Sequence, residues 1–230
     1  MEIVKPIFTG LITQVGKLWK ELLFLYGSIL LLFVVLNVIS RSSDQITLSY
    51  FTRDVSAIGD LPFYAGLVSQ LGGLLWSAAL TICIFTFFLL KRFGPDTERS
   101  RRFLLQAVIL TGVLLLDDFF LFHEDIGPDY LHLSERVIVL SYLILTVLFL
   151  FINHREILSS EYLLLGLALA MFGLSIFLDA ADLDNYDQYG LFFTEQIQIF
   201  LEDGFKFVGI ATWLAYFVRY SVQHIKGLMR

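Results

Sequence analysis

The sequence predicts an all-α integral membrane protein: a bundle of six transmembrane helices preceded by an amphipathic helix at the membrane surface. Three observations support this prediction. Hydrophobic residues make up 57% of the 230 positions, whereas soluble domains are roughly 45–50% apolar. The mean hydropathy is +0.75. Finally, long apolar runs recur along the chain, and basic residues gather in alternate connections between them. We expect a single integral membrane domain over residues 1–230.

The N-terminal residues 1–20 have a different pattern from the rest. Apolar side chains such as Ile3, Ile7 and Leu11 recur every three to four residues, and lysines occupy several polar positions between them. This pattern is typical of a helix that lies in the membrane interface with its apolar side towards the lipid. We therefore expect an interfacial helix before the first span.

Six apolar stretches follow, and each is long enough or nearly long enough to cross a bilayer, which takes about 20 helical residues. The second stretch exceeds that length, so we expect it to be tilted or to protrude. Its Gly72 and Gly73 indicate a kink or a close helix contact. The predicted spans cover about residues 22–39, 62–90, 103–123, 134–153, 162–178 and 194–220.

The distribution of lysine and arginine predicts the orientation. With six spans, most basic residues fall on the same side as both termini, Arg41, Arg53 and Arg136 fall on the opposite side, and Lys206 lies within the sixth span. Because basic residues favour cytoplasmic connections, both termini are expected in the cytoplasm. The residues on that side are Lys5, Lys17, Lys20, Lys91, Arg92, Arg99, Arg101, Arg102, Arg155, Arg219, Lys226 and Arg230.

Acidic residues interrupt two of these spans. Asp117 and Asp118 lie in the run LLLDDFFLFHED of the third span, and Glu202 and Asp203 lie in the sixth. At about 1.5 Å per helical residue, all four fall in the outer third of a bilayer core of about 30 Å. Ionised carboxylates are costly there, so they require a proton, a cation or a basic partner. Lys206 can neutralise Glu202 or Asp203 from its position one helical turn later.

The leading hypothesis is an outward-facing cavity that binds a cation or protons, in a transporter, a channel or a sensor. Intramembrane carboxylates commonly mark such pathways. The predicted binding residues are Asp117, Asp118, Glu202, Asp203 and Lys206, and the predicted rim comprises Glu124, Glu135, Asp179 and Glu195 together with His123. If the third helix stays regular, His123 points away from the side that carries Asp117.

Two other functions are consistent with the same residues. A divalent metal ion as cofactor could be held by Asp118, His123, Glu124 and Glu202, and a metal-bound water could then attack a lipid-like substrate. Alternatively, the acids line a wet vestibule and the protein is a structural or assembly subunit. In that case the apolar faces and the small residues Gly166, Ala170 and Gly173 would dock other membrane proteins.

Several other activities lack their motifs. The chain has no P-loop, no G-x-S-x-G turn and no H-E-x-x-H motif. Nucleic-acid binding is not expected, since the topology already accounts for the basic residues. A lone cysteine, Cys83, rules out an intrachain disulfide.

The expected partners are membrane lipids, a small cation or proton, and a second copy of the chain in a homo-oligomer.

Two segments carry a resemblance to known proteins. DDFFLFHE, residues 117–124, and LEDGFKFVG, residues 201–209, resemble a pattern in small bacterial multi-span membrane proteins of uncharacterised function. The resemblance implies a bacterial inner membrane but no activity. It also implies that the acids and the histidine of the two segments belong to one site, namely Asp117, Asp118, His123, Glu124, Glu202 and Asp203.

Overall fold

The computed structural model describes residues 4–42, 51, 58–62, 64–94, 97–180 and 195–228. Within these ranges the secondary structure is entirely helical, and seven helices are assigned. They are α1 (Val4–Arg41), α2 (Leu67–Phe93), α3 (Glu98–Phe120), a π-helical segment (Phe122–Tyr130), α4 (Glu135–Leu158), α5 (Tyr162–Ala180) and α6 (Glu195–Leu228). Contacts divide the chain into two units, Met1–Ala65 and Gly66–Arg230.

The first unit contains α1, a continuous helix of 38 residues. The sequence predicted a surface helix that ends near residue 20 and a separate span from residue 22, and this break is absent from the structure. Lys20, Glu21 and Leu22 stand at the predicted junction. All three are good helix formers, so the backbone has no local reason to leave the helix there. The predicted amphipathic surface location of residues 1–20 stays a prediction.

The second unit contains the helices that resemble membrane spans most clearly. Four helices of the described chain are long and apolar enough to cross a membrane, namely Leu67–Phe93, Glu98–Phe120, Glu135–Leu158 and Tyr162–Asp179. They correspond to the second to fifth predicted spans. Helix α6, with 34 residues, contains the sixth predicted span but carries several charged side chains. Length and composition therefore support a multi-pass membrane protein, whereas a count of six spans stays a prediction.

Aromatic side chains fill the middle of this unit, where α6 packs against α2 and α5 and α3 packs against α2 and α4. The rings form one connected group with centroid distances between 5.3 and 6.4 Å. Offset and edge-on ring contacts at such distances are favourable. We call this group the aromatic layer; it consists of Trp76, Phe103, Phe149, Phe172, Trp213 and Phe217.

Glycines allow the helices to approach each other at specific points. A Cβ on Gly72 would lie 3.3 Å from the Cδ1 of Ile210 in α6, and a Cβ on Gly209 would lie 2.7 Å from the ring of Phe172 in α5. The close helix contact predicted at Gly72 is thus present. In contrast, nothing lies within 4 Å of a Cβ on Gly166 or Gly173, so helices of the described chain do not pack on that stripe.

Helix α3 ends earlier than predicted, and the chain changes direction at its end. Leu121 adopts a left-handed conformation with φ 51° and ψ 44°, and the π-helical segment begins at the next residue. This segment packs against α4, where Gly127 is buried against Ile138 with no room for a side chain. A left-handed leucine is uncommon, since its Cβ crowds the backbone. This change of direction positions the residues around Asp117.

Candidate functional site

The two adjacent aspartates at the end of α3 have different partners. Successive residues of an α-helix point about 100° apart. Asp117 therefore faces the π-helical segment and α4, whereas Asp118 faces α2 and α6. Each carboxylate is largely buried. The two aspartates consequently belong to two neighbouring sites rather than to one.

Asp117 accepts three hydrogen bonds. The backbone N–H of His123 donates to Oδ1 at 3.0 Å, and the His123 Nδ1–H donates to Oδ2 at 2.7 Å. The hydroxyl of Tyr142 in α4 donates to Oδ1 at 2.8 Å. A carboxylate with several donors can stay ionised in a poorly hydrated place. These bonds tie α3, the π-helical segment and α4 together.

The change of chain direction at Leu121 explains how His123 reaches Asp117. In a regular helix His123 would point away from Asp117, but the left-handed residue redirects the chain and brings the imidazole back over the carboxylate. The hydrogen bond with Asp117 raises the pKa of His123 above its ordinary value, although burial works in the opposite direction. Nε2 of His123 lies 3.4 Å from Oε1 of Glu124, which adds a second negative neighbour. The imidazole is thus held where a proton is favoured.

Asp118 forms an ion pair with Lys206 across the interface between α3 and α6. Nζ of Lys206 lies 2.5 Å from Oδ1 of Asp118. The sequence had suggested Glu202 or Asp203, both in the helix of Lys206, as its partner. The lysine instead reaches a different helix, because Asp118 projects from α3 towards α6 at the same level. The acidic end of α3 therefore lies next to the part of α6 that carries Lys206.

A small cavity adjoins this ion pair. Its volume is about 40 Å³, which is enough for a few water molecules or a single small ion. The cavity is too small for an organic substrate. Its walls come from α2, α3 and α6, and they consist of Val68, Ser69, Gly72, Asp118, Asp203, Lys206, Phe207 and Ile210.

The other acids predicted for the site lie nearer to solvent. Glu202 is partly buried and interacts electrostatically with Asp179, Asp203, Lys206 and Glu124. Asp203 and Asp179 are exposed. The structure thus brings the acids of α3, α5 and α6 near one another, with Lys206 between them. Of these three acids, Asp203 lines the cavity.

The other two predicted rim residues are Glu135 and Glu195. Glu135 is exposed in the first turn of α4 and takes part in none of the contacts seen among the described side chains. Glu195 begins α6, and its side chain lies outside the described part. A role for these two glutamates in the rim stays a prediction.

The arrangement of possible metal ligands bears on the predicted divalent ion. Among the described residues, no group of three or more His, Cys, Asp or Glu side chains is arranged to hold a metal ion. Of the four predicted ligands, Asp118 is paired with Lys206 and His123 with Asp117 and Glu124. Carboxylates and imidazole are suitable ligands for zinc or iron. Asp118 and His123, however, would have to leave their present partners in order to bind such an ion.

Sequence reasoning missed Tyr142, which completes the environment of Asp117. A tyrosine in the outer half of a span is usually interpreted as an interfacial anchor. A buried Tyr hydroxyl, however, usually needs a hydrogen-bond partner. The need of Asp117 and Asp118 for hydrogen-bond donors was therefore the signal in the sequence that pointed to a residue such as Tyr142.

Comparison with known proteins gives a family but no activity. Neither the curated proteins nor the solved structures include a match to this chain. Residues 25–220 match the sequence model of one family, described as a domain of unknown function, DUF8692. That range extends from the apolar half of α1 to Tyr220 in α6 and includes every residue of the paired aspartate sites. The chain therefore belongs to the DUF8692 family.

Proposed function

We propose that this protein is a polytopic membrane protein that binds protons at its outer carboxylates, as a transporter or a sensor. Four helices with the length and composition of membrane spans support the membrane location. The basic residues predict cytoplasmic termini and place Asp117 and Asp118 towards the outer side. Intramembrane carboxylates of this kind commonly belong to ion or proton pathways.

The pairing of the two aspartates favours protons over metal cations as the ligand. Asp117 is bonded to an imidazole and Asp118 to an ammonium group, so each carboxylate already has a partner that can gain or lose a proton. A metal cation would have to displace Lys206 from Asp118. A proton needs no vacant coordination site, because it can move between the partners along an existing hydrogen bond.

The Lys206–Asp118 pair is the single observation that supports this function most strongly. Transfer of a proton from the ammonium to the carboxylate leaves two neutral groups, which no longer attract each other as ions. The two helices that carry them are then less tightly coupled. The cavity beside the pair can hold the water that delivers or removes the proton.

The test is proton movement in liposomes that contain the purified full-length protein. Under a pH gradient we expect wild-type protein to carry protons, and we expect Asp118→Asn to lower the rate at least tenfold. Asp129→Asn is the matched control, since it neutralises an exposed acid of the π-helical segment that takes no part in the pairs. The control should keep the wild-type rate.

Other outcomes would favour the other functions. Flux that follows a sodium or potassium gradient at constant pH would indicate a metal cation as the transported ion. A stoichiometric divalent metal that is retained by purified wild type and lost in His123→Ala would favour a metal-dependent enzyme. If Asp118→Asn changes thermal stability alone and neither flux nor proton uptake, the acids serve packing and the proposal is wrong.

A further inference from the structure

A second group of polar side chains lies at the other end of the bundle, where the start of α3 meets the ends of α4 and α6. This end is the predicted cytoplasmic side. Its centre is the carboxylate of Glu156 in α4, which is buried. Ser100 of α3 donates a hydrogen bond to Oε1 at 2.8 Å, and the hydroxyl of Tyr220 of α6 donates to the same oxygen at 2.6 Å. Nε2 of His224 lies 3.5 Å from Oε1, and Nε of Arg99 lies 3.8 Å from Oε2.

The hydrogen bonds around His224 favour its doubly protonated form. Nδ1 faces the backbone oxygen of Tyr220 at 2.9 Å, and a carbonyl can only accept, so Nδ1 carries a hydrogen. Nε2 lies 3.2 Å from Oγ of Ser100, whose own hydrogen is donated to Glu156. Nε2 therefore faces two acceptors, and a hydrogen there satisfies the whole group. Without it, Ser100 would have to turn from Glu156 to the imidazole.

Helix α3 shows how far this group lies from Asp117 and Asp118, which form the site at the predicted outer side. Ser100 and Asp117 belong to the same helix, and at about 1.5 Å per residue they are separated by about 26 Å. Phe103 of the aromatic layer lies between them on that helix, and it contacts Phe149 and Phe217 of the neighbouring helices. Each end of the bundle thus has a buried carboxylate next to an imidazole, with the aromatic layer between.

We propose that Glu156 and His224 form a second proton-binding site, which exchanges protons with the cytoplasmic side of the membrane. The proposal rests on the proposed function, since it supplies the inner end of a proton route that starts at Asp118 and Lys206. Among the described residues, the other charged or titratable groups that face Glu156 are Arg99 of α3 and Tyr216 and Tyr220 of α6.

The environment of His224 suits this role. Burial lowers the pKa of His224, but the interactions with the Glu156 carboxylate and with the backbone oxygen of Tyr220 together outweigh it and raise the pKa above the ordinary value. His224 follows Tyr220, beyond the sixth predicted span, and its side chain is partly exposed. The imidazole can therefore exchange protons with water while it remains bonded to a buried carboxylate. The aromatic layer separates this site from the outer one, so protons pass between them through helix movement rather than along a continuous file of water.

The direct test is a nitrogen NMR titration of the full-length protein in lipid nanodiscs, with ¹⁵N-labelled histidine. The chain has four histidines, and His224→Gln assigns the relevant signals. In wild type we expect both ring nitrogens of His224 to carry hydrogen at pH 6. Glu156→Gln should lower the titration midpoint of His224 by about one pH unit, which is typical for loss of an opposite charge at this distance. The midpoint of His123 should not change.

The control for this substitution is Glu161→Gln. Glu161 lies near the same end of the bundle, but it is exposed and bonded to Arg219. We expect Glu161→Gln to leave the midpoint of His224 within about 0.2 units of wild type, because exposed charges are well screened. If Glu156→Gln does not fold, the wild-type spectrum is decisive by itself. A singly protonated His224 at pH 6 would overturn the assignment.

Flux measurements separate this proposal from the proposed function. Glu156→Gln should lower the proton rate at least tenfold, whereas Glu161→Gln should not. If wild type carries no protons and shows no uptake at the outer pairs while His224 titrates as expected, the proposed function fails and the inner site stands. If wild type carries protons and Glu156→Gln does so at the same rate, the inner site is not on the route.

Discussion

Replacing Lys206 by methionine is the sharpest test of the site in terms of stability. Methionine keeps the length of the lysine stem but removes the ammonium group that lies 2.5 Å from Asp118. The Asp118 side chain is 9% exposed, so its carboxylate would be left without a counter-charge in a nearly buried place. Removing one partner of a buried ion pair typically costs about 3–5 kcal/mol.

The structure places this case at the low end of that range. Lys206 keeps 35% of its side-chain surface exposed, and the adjoining cavity of about 40 Å³ can admit water to the remaining carboxylate. Both features reduce the penalty, so we expect Lys206→Met to lower the free energy of unfolding by about 3 kcal/mol. Asp118→Asn in the same background should restore about 2 kcal/mol of it, because the charge left behind is then removed.

The measurement is a double-mutant cycle of unfolding free energies in bicelles, with wild type, both single variants and the double variant. Lys226→Met is the control, since Lys226 is an exposed lysine later in the same helix and should change stability by less than about 0.5 kcal/mol. If Lys206→Met lies within about 0.5 kcal/mol of wild type, or if the two substitutions are additive, the pair does not hold α3 and α6 together. Asp118 and Lys206 would then not form the proposed proton-binding pair.

Three further results are expected from the structure. Because the pKa of His123 is raised in the folded protein, the stability that its bond to Asp117 provides is fully present below about pH 6.5 and is lost as pH rises through the folded-state pKa. Melting temperatures measured between pH 5 and 9 should show this loss in wild type and not in His123→Gln. Gly209→Ala should destabilise by about 1–3 kcal/mol because a ring occupies the space of the new methyl group, whereas Gly166→Ala, with open space, should be neutral or slightly stabilising in the same melting assay. Leu121→Gly should raise the melting temperature, since glycine adopts positive φ without strain, and Leu121→Val should lower it.

The apolar helices were predictable because their cause is local. Each needs a run of about 20 residues without many charges, and such runs are visible in one dimension. Predicted spans 134–153 and 162–178 begin within a residue of α4 and α5. The ends are less well determined, as α4 continues to Leu158 through a stretch that looks hydrophilic. That continuation carries Glu156 into the bundle, whereas the hydrophilic pattern predicts a connection between two spans at this residue.

The pairings inside the sites were not predictable in the same way. Helical spacing identifies partners within one helix, and it suggested Glu202 and Asp203 for Lys206. The actual partner, Asp118, depends on how two distant helices face each other. The pairing of His123 with Asp117 was missed for a different reason, because a single left-handed residue at Leu121 changes the direction of the chain that follows. Neither the facing of helices nor an unusual φ is encoded in hydrophobic periodicity.

The turn at Leu121 has one more implication, which concerns the length of the segment between Asp117 and His123. The imidazole reaches the carboxylate through this particular combination of one left-handed residue and the first turn of the π-helical segment. Adding or deleting one residue there would rotate the imidazole to another side of the chain. Members of the family that retain both residues are therefore expected to keep five positions between them, even where the intervening side chains differ.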